Sequence, residues 1–181
     1  DRAWQSTLQA NEGLWEGGSV PDIRWRCHTC IWAARNCLRL DGDFAEFGVN
    51  TGIMSSMILQ TTQTNASGKK FYLFDTFSGI PEDTATESEK VHVEKMNRTL
   101  YSHDGLKVAK SVFSPFDSVE FVVGRLPETI ANSGVDRLSY VAIDLNSVEA
   151  EMAVAKEVWD KIVPGGIIVL DDYGFGGHEE Q

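Results

Sequence analysis

The chain has 181 residues, of which 42% are hydrophobic and 24% are charged, and this composition is typical of a globular domain with a sizeable core. Its formal net charge is −11 and no basic patch is visible, which argues against nucleic-acid binding. No apolar run approaches the roughly 18 residues of a membrane-spanning helix, and no charged-then-apolar leader opens the sequence, so we expect a cytoplasmic protein with no membrane partner.

The first 40 residues are expected to form an N-terminal segment and one helix. Residues 1–22 contain several glycines and a proline and are predicted to be irregular. Apolar residues at helical spacing predict a helix over residues 23–40. Cys27 and Cys30 lie on its apolar face, and no second cysteine pair follows to complete a zinc site. We therefore interpret them as small buried side chains.

Residues 41–181 are expected to form the main domain, in which strands and helices alternate. Strands are predicted over residues 44–49, 71–74, 119–123, 138–143 and 167–170. Helices are predicted over residues 53–62, 104–113, 126–132 and 148–162, and Pro164-Gly165-Gly166 is expected to end the last one. Apolar strands separated by helices predict a mostly parallel sheet covered on both faces, a Rossmann-like three-layer α/β/α sandwich.

Between the second strand and the next helix, residues 78–102 are polar and mixed in charge. We expect this stretch to be a long surface excursion or a lid that folds over a bound substrate.

Acidic and glycine-containing turns follow the predicted strands. They contain Glu46-Phe47-Gly48, Asp75, Gly124, Asp144 and Asp171-Asp172. Because ligands bind outside the carboxyl ends of the strands in an open parallel sheet, we expect these groups to converge on one pocket.

The turn after the first strand contains Gly48 and Gly52, four residues apart, before a predicted helix. Glycines allow a ligand to approach the backbone closely, although a simple tight turn is the alternative because the GxGxxG pattern is absent. Asp75 ends the second strand, where an acid of a nucleotide site accepts hydrogen bonds from a ribose diol. The alternative for Asp75 is a solvated acid at the end of a strand.

Asp144 and the pair Asp171-Asp172 follow two strands that we expect to be neighbours. Carboxylates brought together repel each other unless a cation joins them, and oxygen ligands of this number suit Mg²⁺, with Ca²⁺ or Mn²⁺ as alternatives. The other interpretation is that one of the adjacent pair faces away and caps a loop.

Several segments carry a resemblance to a known family. They are GDFAEFGVNTG at 42–52, FYLFDTFSGIP at 71–81, GRLPETI at 124–130, VAIDLN at 141–146 and VPGGIIVLDDYG at 163–174. Taken together, in this order and spacing, they resemble the macrocin O-methyltransferase family. Its members are class I S-adenosylmethionine-dependent methyltransferases that modify sugars and other hydroxylated natural products.

The resemblance implies O-methylation of a hydroxyl on a small-molecule acceptor, with S-adenosylmethionine as cofactor. It places the cofactor on Glu46, Phe47, Gly48, Val49, Asn50, Gly52, Asp75, Thr76, Phe77, Gly124, Arg125 and Asp144. In this scheme Asp75 meets the ribose and the Gly124 region lies near the adenine. It also implies Mg²⁺ on Asp144, Asp171 and Asp172, as in the broader catechol-type O-methyltransferases.

The sequence departs from the family at the catalytic position. Where members commonly carry an Asp that is a candidate general base, this chain has Asn146, which cannot take up a proton. His178 follows the acidic pair and is a candidate substitute, since an unperturbed histidine titrates near neutrality. The chain also stops nine residues after Asp172, so we expect the further helix and antiparallel hairpin usual in this class to be missing or disordered.

Two other functions stay open. An NAD(P)-dependent oxidoreductase shares the sheet and the ribose acid, but it predicts a GxGxxG turn. A non-catalytic S-adenosylmethionine-binding member of the fold is favoured by Asn146. A homo-oligomer also stays open, because Trp25 and Trp32 on the N-terminal helix could pack against a second copy of the chain.

Overall fold

Strands and helices alternate along the chain, as the sequence predicts. The structure is a computed structural model that describes residues 2–14, 20, 22–85, 87, 90–101 and 104–173. The strands are β1 (Asp43–Phe47), β2 (Phe71–Asp75), β3 (Val119–Val123), β4 (Leu138–Ile143) and β5 (Ile162–Leu170). The helices are α1 (Arg2–Ala10), α2 (Arg24–Cys37), α3 (Ile53–Thr61), α4 (Lys90–Thr99), α5 (Gly105–Phe113) and α6 (Val148–Val158). Short 3₁₀ turns cover Thr64–Ala66, Glu82–Thr84 and Trp159–Lys161.

The strands form one parallel sheet in the order β3-β2-β1-β4-β5. β1 is central, and its Phe44 pairs with Phe71 of β2 on one side and with Tyr140 of β4 on the other. The chain adds β2 and β3 on one side of β1 and then returns to add β4 and β5 on the other. The strand order therefore reverses between β1 and β4, and such a reversal opens a crevice at the carboxyl ends of the strands.

Helices cover both faces of the sheet, so the predicted three-layer α/β/α sandwich is confirmed. Residues of α1, α2, α3 and α5 form one buried cluster with Phe44 of β1. Residues of α6 form a second cluster with Ala45 and Phe47 of the same strand. Successive side chains of a strand point to opposite faces, which explains why neighbouring residues of β1 belong to different clusters. The three cysteines, Cys27, Cys30 and Cys37, are buried and free.

The prediction that residues 1–22 are irregular is wrong for α1. Trp4 and Leu8 are one helical turn apart, Trp4 is 7% exposed, and both belong to or pack on the first buried cluster. Isolated helices of this length are marginal, so packing against the body of the domain stabilises α1. The glycines and proline that suggested an irregular segment come after the helix.

The short helix predicted over residues 126–132 is absent, and this stretch forms consecutive turns. The Thr129 N–H donates to the Arg125 carbonyl at 3.1 Å, and the Ile130 N–H donates to the Pro127 carbonyl at 3.0 Å. Seven residues are too few to form a helix without extensive packing, and only Ile130 of this stretch is buried.

Pro164-Gly165-Gly166 does not end the last helix, as predicted: α6 ends at Val158, and these three residues lie inside β5. Leu138 of β4 pairs with Ile162, whereas Tyr140, two residues on, pairs with Ile167. The additional residues form an irregularity at the edge of the sheet, where a proline without a backbone N–H is tolerated.

The polar excursion is partly helical and is anchored to the loop after β2. The Ile80 N–H donates to Asn97 Oδ1 at 2.8 Å, and Asn97 Nδ2 donates to the Ile80 carbonyl at 2.9 Å. Val93 of α4 is 1% exposed. These contacts fix the base of the excursion, and its closure over a substrate stays a prediction. Among the described residues, no helix has the length and apolar character needed to cross a bilayer.

Candidate functional site

The predicted site residues gather at the carboxyl end of the sheet. The Asp144 N–H donates to the Phe47 carbonyl at 2.9 Å, and the Asp171 N–H donates to the Ile143 carbonyl at 3.1 Å. On the other side of β1, the Gly124 N–H donates to the Asp75 carbonyl at 2.9 Å. The ladder of the parallel sheet therefore continues into the turns and places them along one rim.

Gly48 allows the turn after β1 to touch the end of β4. Its φ is +88°, in the left-handed region, and its N–H donates to the Phe74 carbonyl at 2.9 Å. A Cβ atom at this position would lie 1.8 Å from the Asp144 carbonyl oxygen. Only glycine therefore allows the backbones of β1 and β4 to approach this closely where the strand order reverses.

Asp75 holds the same turn from the opposite side. Its Oδ2 accepts the backbone N–H groups of Val49 at 2.6 Å and Asn50 at 2.8 Å, and its Oδ1 accepts that of Phe77 at 2.6 Å. Asp75 thus links the turn after β1 to the loop after β2. The Thr76 hydroxyl is also 3.5 Å from Asp75 Oδ1 but donates at 2.6 Å to the Gly79 carbonyl. Because a carboxylate has about four acceptor positions, Asp75 keeps capacity for a further donor.

The other residues predicted for the cofactor lie around this turn. Thr76 Oγ1 donates to the Gly79 carbonyl at 2.6 Å, and the buried Phe77 packs 5.9 Å from the Phe121 ring. Arg125 is exposed and forms a 2.8 Å ion pair with Asp83 of the excursion. The structure therefore brings Thr76 and Phe77 to the rim and turns the Arg125 guanidinium towards the excursion.

Glu46 is the most deeply buried acid of the rim, with 1% of its surface exposed. Burial is the main effect that raises the pKa of its carboxyl to about 8. The hydrogen bond that the Ser55 hydroxyl donates to this carboxyl lowers the pKa, whereas the nearby charges of Asp75 and Asp171 raise it further. Glu46 therefore keeps its proton at pH values at which an ordinary carboxyl group is ionised.

Asp144, Asp171 and Asp172, which we call the acid triad, offer three carboxylate oxygens within 4.8 Å of one another. Burial raises the pKa of Asp144 well above its ordinary value, and the charges of Asp171 and Asp172 raise it further. Asp172 is 4% exposed, and its Oδ2 has no hydrogen-bond partner among the described residues. Carboxylate oxygens clustered in this way fit a Mg²⁺ site, since Asp171 Oδ2 and Asp172 Oδ2 are both buried and accept no hydrogen bond from the described residues.

Arg26 approaches the acid triad from α2, and the sequence analysis did not find it. Its Nη1 lies 2.6 Å from Asp171 Oδ2. The positive charge lowers the pKa of both Asp144 and Asp171 and so opposes part of the effect of burial. No local pattern marks this arginine, because its partner lies at the opposite end of the chain.

The two predicted catalytic residues have different outcomes. Asn146 has a φ of +55°, and its Nδ2 donates to Asp144 Oδ1 at 3.2 Å. It therefore touches the acid triad, as a hydrogen-bond donor. His178 lies outside the described residues.

Two further side chains near the triad carry no sequence signal. Glu151 of α6 accepts the Leu145 N–H at 3.2 Å and so holds the loop that carries Asp144, and burial raises its pKa to about 7. Tyr101 follows α4, and its pKa is raised by burial first and then by the charges of Asp144 and Asp75, as well as Asp172. The Tyr101 phenol therefore lies within range of the charges of Asp75 and the triad.

Replacing Gly48 with alanine should destabilise the domain by more than about 3 kcal/mol, because the new Cβ would clash with backbone at 1.8 Å in addition to the cost of the left-handed conformation. Gly68→Ala is the matched control, since Gly68 has a φ of +80° and open space around its Cβ position. It should cost only about 1 kcal/mol. Urea unfolding measures both, and equal losses would contradict the close approach of β1 and β4.

Glu46→Gln should become more stable relative to the wild-type chain as pH rises. The folded-state pKa of Glu46 is about 8, above its ordinary value of 4.5, so its contribution is fully present below pH 4.5 and is lost as pH rises towards 8. Glutamine stays neutral and can still accept from Ser55. The difference in unfolding free energy should therefore be larger at pH 8 than at pH 5 by roughly 1 kcal/mol or more. Urea unfolding at pH 5, 6.5 and 8 measures it, with Glu94→Gln, on the exposed surface of α4, as the matched variant. A constant difference would show that Glu46 is ionised across this range.

Comparison with known proteins gives the family and the fold. The macrocin-O-methyltransferase (TylF) family matches residues 27–179. A mycinamicin III 3''-O-methyltransferase from Micromonospora griseorubida is 25% identical over 142 residues, covering 73% of this chain and 55% of the relative. A demethyldecarbamoylnovobiocin O-methyltransferase from Streptomyces niveus is also 25% identical over 142 residues, covering 73% and 53%. The chain thus spans about half the length of the curated relatives it matches.

Solved structures share the same fold. The O-methyltransferase NovP superposes with a TM-score of 0.69 at 20% identity, over 83% of this chain and 65% of NovP. The calicheamicin methyltransferase CalS11 superposes with a TM-score of 0.63 at 18% identity, over 84% of this chain and 66% of CalS11. The parallel sheet with its turn at Gly48, and a family match that includes every strand, lead to one conclusion: the chain belongs to the macrocin-O-methyltransferase family.

Proposed function

We propose that this chain is the cofactor-binding and catalytic part of an S-adenosylmethionine-dependent O-methyltransferase that acts on a hydroxyl of a sugar or another small natural product. One observation carries the proposal. Three features lie on one rim, at the crevice where the strand order reverses. They are the turn after β1 that contains Gly48 and Gly52, the acid Asp75 at the end of β2, and the acid triad. The relatives, which are named as O-methyltransferases of mycinamicin III and demethyldecarbamoylnovobiocin, support the same class of acceptor.

The turn after β1 would hold the cofactor, which supplies an electrophilic methyl group when bound. Gly48 presents backbone without a side chain, and Asp75 fixes the direction of the Val49 and Asn50 amides. The remaining acceptor capacity of Asp75 suits a ribose hydroxyl. Because these groups are held by hydrogen bonds and close packing, they are already arranged to orient a bound nucleoside.

Asp144, Asp171 and Asp172 would hold a Mg²⁺ ion, which when bound supplies a positive charge that lowers the pKa of an acceptor hydroxyl. The Asn146 amide donates to Asp144 and so orients this carboxylate. Asn146 cannot accept the acceptor's proton, since a neutral amide is not a base at ordinary pH. We therefore keep His178 as the candidate base within the full chain.

A non-catalytic member that binds S-adenosylmethionine is the second candidate, and Asn146 is the observation that favours it. Such a protein would bind the cofactor at the same turn and transfer no methyl group.

Titration calorimetry tests the cofactor. We expect S-adenosylmethionine and S-adenosylhomocysteine to bind, and NAD⁺ not to bind, since the turn lacks a GxGxxG phosphate cradle. Gly68 lies outside the rim and has open space around its Cβ position, so Gly68→Ala is the control for any variant that changes a residue of the rim. Binding of NAD⁺ alone would favour the oxidoreductase. Cofactor binding without methyl transfer to any hydroxyl acceptor, with or without Mg²⁺, would favour the non-catalytic alternative.

Asp172→Asn should weaken Mn²⁺ binding by about 100-fold, because a hard carboxylate ligand is replaced by a neutral amide. The same variant should not lower the melting temperature in the presence of a chelator, since it leaves two acids in place of a close cluster of three. Mn²⁺ electron paramagnetic resonance and thermal melts measure the two effects. Asp160→Asn, on an exposed residue after α6, is the matched control. Unchanged Mn²⁺ affinity in Asp172→Asn would exclude the triad as the metal site.

A further inference from the structure

The ion pair between Arg26 and Asp171 lies inside the candidate site, whereas the pair between Arg24 and Asp22 lies on the surface. The side chains of Arg26 and Asp171 are 23% and 8% exposed, and Nη1 and Oδ2 are 2.6 Å apart. The pair between Arg24 and Asp22, at the start of the same helix, joins side chains that are 62% and 60% exposed. A charge pair with this little exposure is far less screened by water and salt than a surface pair.

The Arg26 guanidinium has one ion-pair partner, Asp171, and its Cζ lies 5.5 Å from the centroid of the Trp25 ring. Arg26 Nη1 contacts Asp171, whereas Arg26 Nε is buried and has no hydrogen-bond acceptor among the described residues. Strong arginine–carboxylate pairs are often bidentate, with two parallel N–H···O bonds. The contact between Arg26 and Asp171 therefore lacks the paired hydrogen bonds of a bidentate contact. A metal ion that binds the same Asp171 oxygen would compete with this weaker, single contact.

The acid triad needs positive charge, and Arg26 supplies part of it. Asp144, Asp171 and Asp172 place three oxygens within 4.8 Å of one another, and no described residue donates a hydrogen bond to Asp172 Oδ2. The guanidinium contacts one of the same carboxylates that would ligate a metal. Two cations that share one carboxylate repel each other, so the arginine and a divalent ion oppose each other's binding there.

We propose that Arg26 is a positioning residue that competes with the divalent cation for Asp171 and thereby sets the metal affinity of the triad. The inference rests on the proposed metal site. Through Arg26, helix α2 would influence metal binding, because a displacement of this helix would move the arginine relative to Asp171. A cation fixed to the protein keeps the triad partly neutralised and makes metal binding weaker and more readily reversible.

Mn²⁺ binding to the full chain tests the competition by electron paramagnetic resonance, without any measurement of turnover. Arg26→Gln should bind Mn²⁺ about tenfold more tightly than the wild-type chain, because the opposing charge is gone. Arg26→Lys, which keeps the charge on a shorter reach, should lie between the two. Arg24→Gln removes an exposed arginine two residues away and should leave the affinity unchanged.

Equal or weaker Mn²⁺ binding in Arg26→Gln would overturn the inference while leaving the metal site intact. Absence of Mn²⁺ binding in the wild-type chain and in all variants would overturn the metal site itself, and the inference with it. A second measurement covers the case in which Arg26→Gln does not fold. In ¹⁵N spectra of the wild-type chain, the Arg26 Nε–H signal, identified by its loss in Arg26→Lys, should shift and exchange faster as Mg²⁺ saturates the protein. A signal that stays unchanged at saturating Mg²⁺ would contradict competition for Asp171.

Discussion

The pairing of β1 with strands on both sides is the constraint on which the site depends. Hydrogen bonds of the parallel ladder run past the ends of the strands, from Gly48 to Phe74 and from Asp144 to Phe47. Because all five strands run in the same direction, each following turn is delivered to the same rim. A reversal of any strand would send its polar turn to the opposite end of the sheet. The site is thus a consequence of strand direction before any side chain is considered.

The rim combines rigid backbone with incompletely balanced charge. Asp75 uses three hydrogen bonds to fix the turn after β1 and the loop after β2. The acid triad, in contrast, brings three carboxyl groups together beside Arg26, and in the described part of the chain Asp172 Oδ2 is buried without a hydrogen-bond donor. Such local departures from the usual rules of burial are concentrated at functional sites, where they cost stability and favour ligand binding. In the function proposed above, the turn would orient the cofactor and the triad would hold a cation.

The covering elements reach the rim from two sides. The excursion after β2 is closed at its base by Asn97 and carries Tyr101, whose pKa responds to the acids of both parts of the rim. On the other side, α2 carries Arg26 to Asp171. Neither element belongs to the strand–turn–helix pattern that builds the rim. Both are therefore places where residues near the rim can change while the sheet stays the same.

The sequence by itself determined the sheet and the content of its rim. The spacing of hydrophobic residues is a local property of the sequence, so β3 and β4 were predicted to the residue. The positions of the acids at the ends of β2, β4 and β5 were predicted for the same reason. The errors, in contrast, have non-local causes. Trp4 is ordered by packing against distant residues, and the irregular part of β5 is held by its neighbour β4 despite Pro164.

Only the tertiary structure decided how the acids are partnered. Asp75 meets the amides of the turn after β1, Glu46 meets Ser55 within the core, and Asp171 meets Arg26 from a helix near the start of the chain. These contacts join groups whose distance along the chain carries no periodic signal, and they form only when whole elements pack together. The sequence therefore showed which charges would share the rim, and the packing of α2 and the turns decided which of them are balanced.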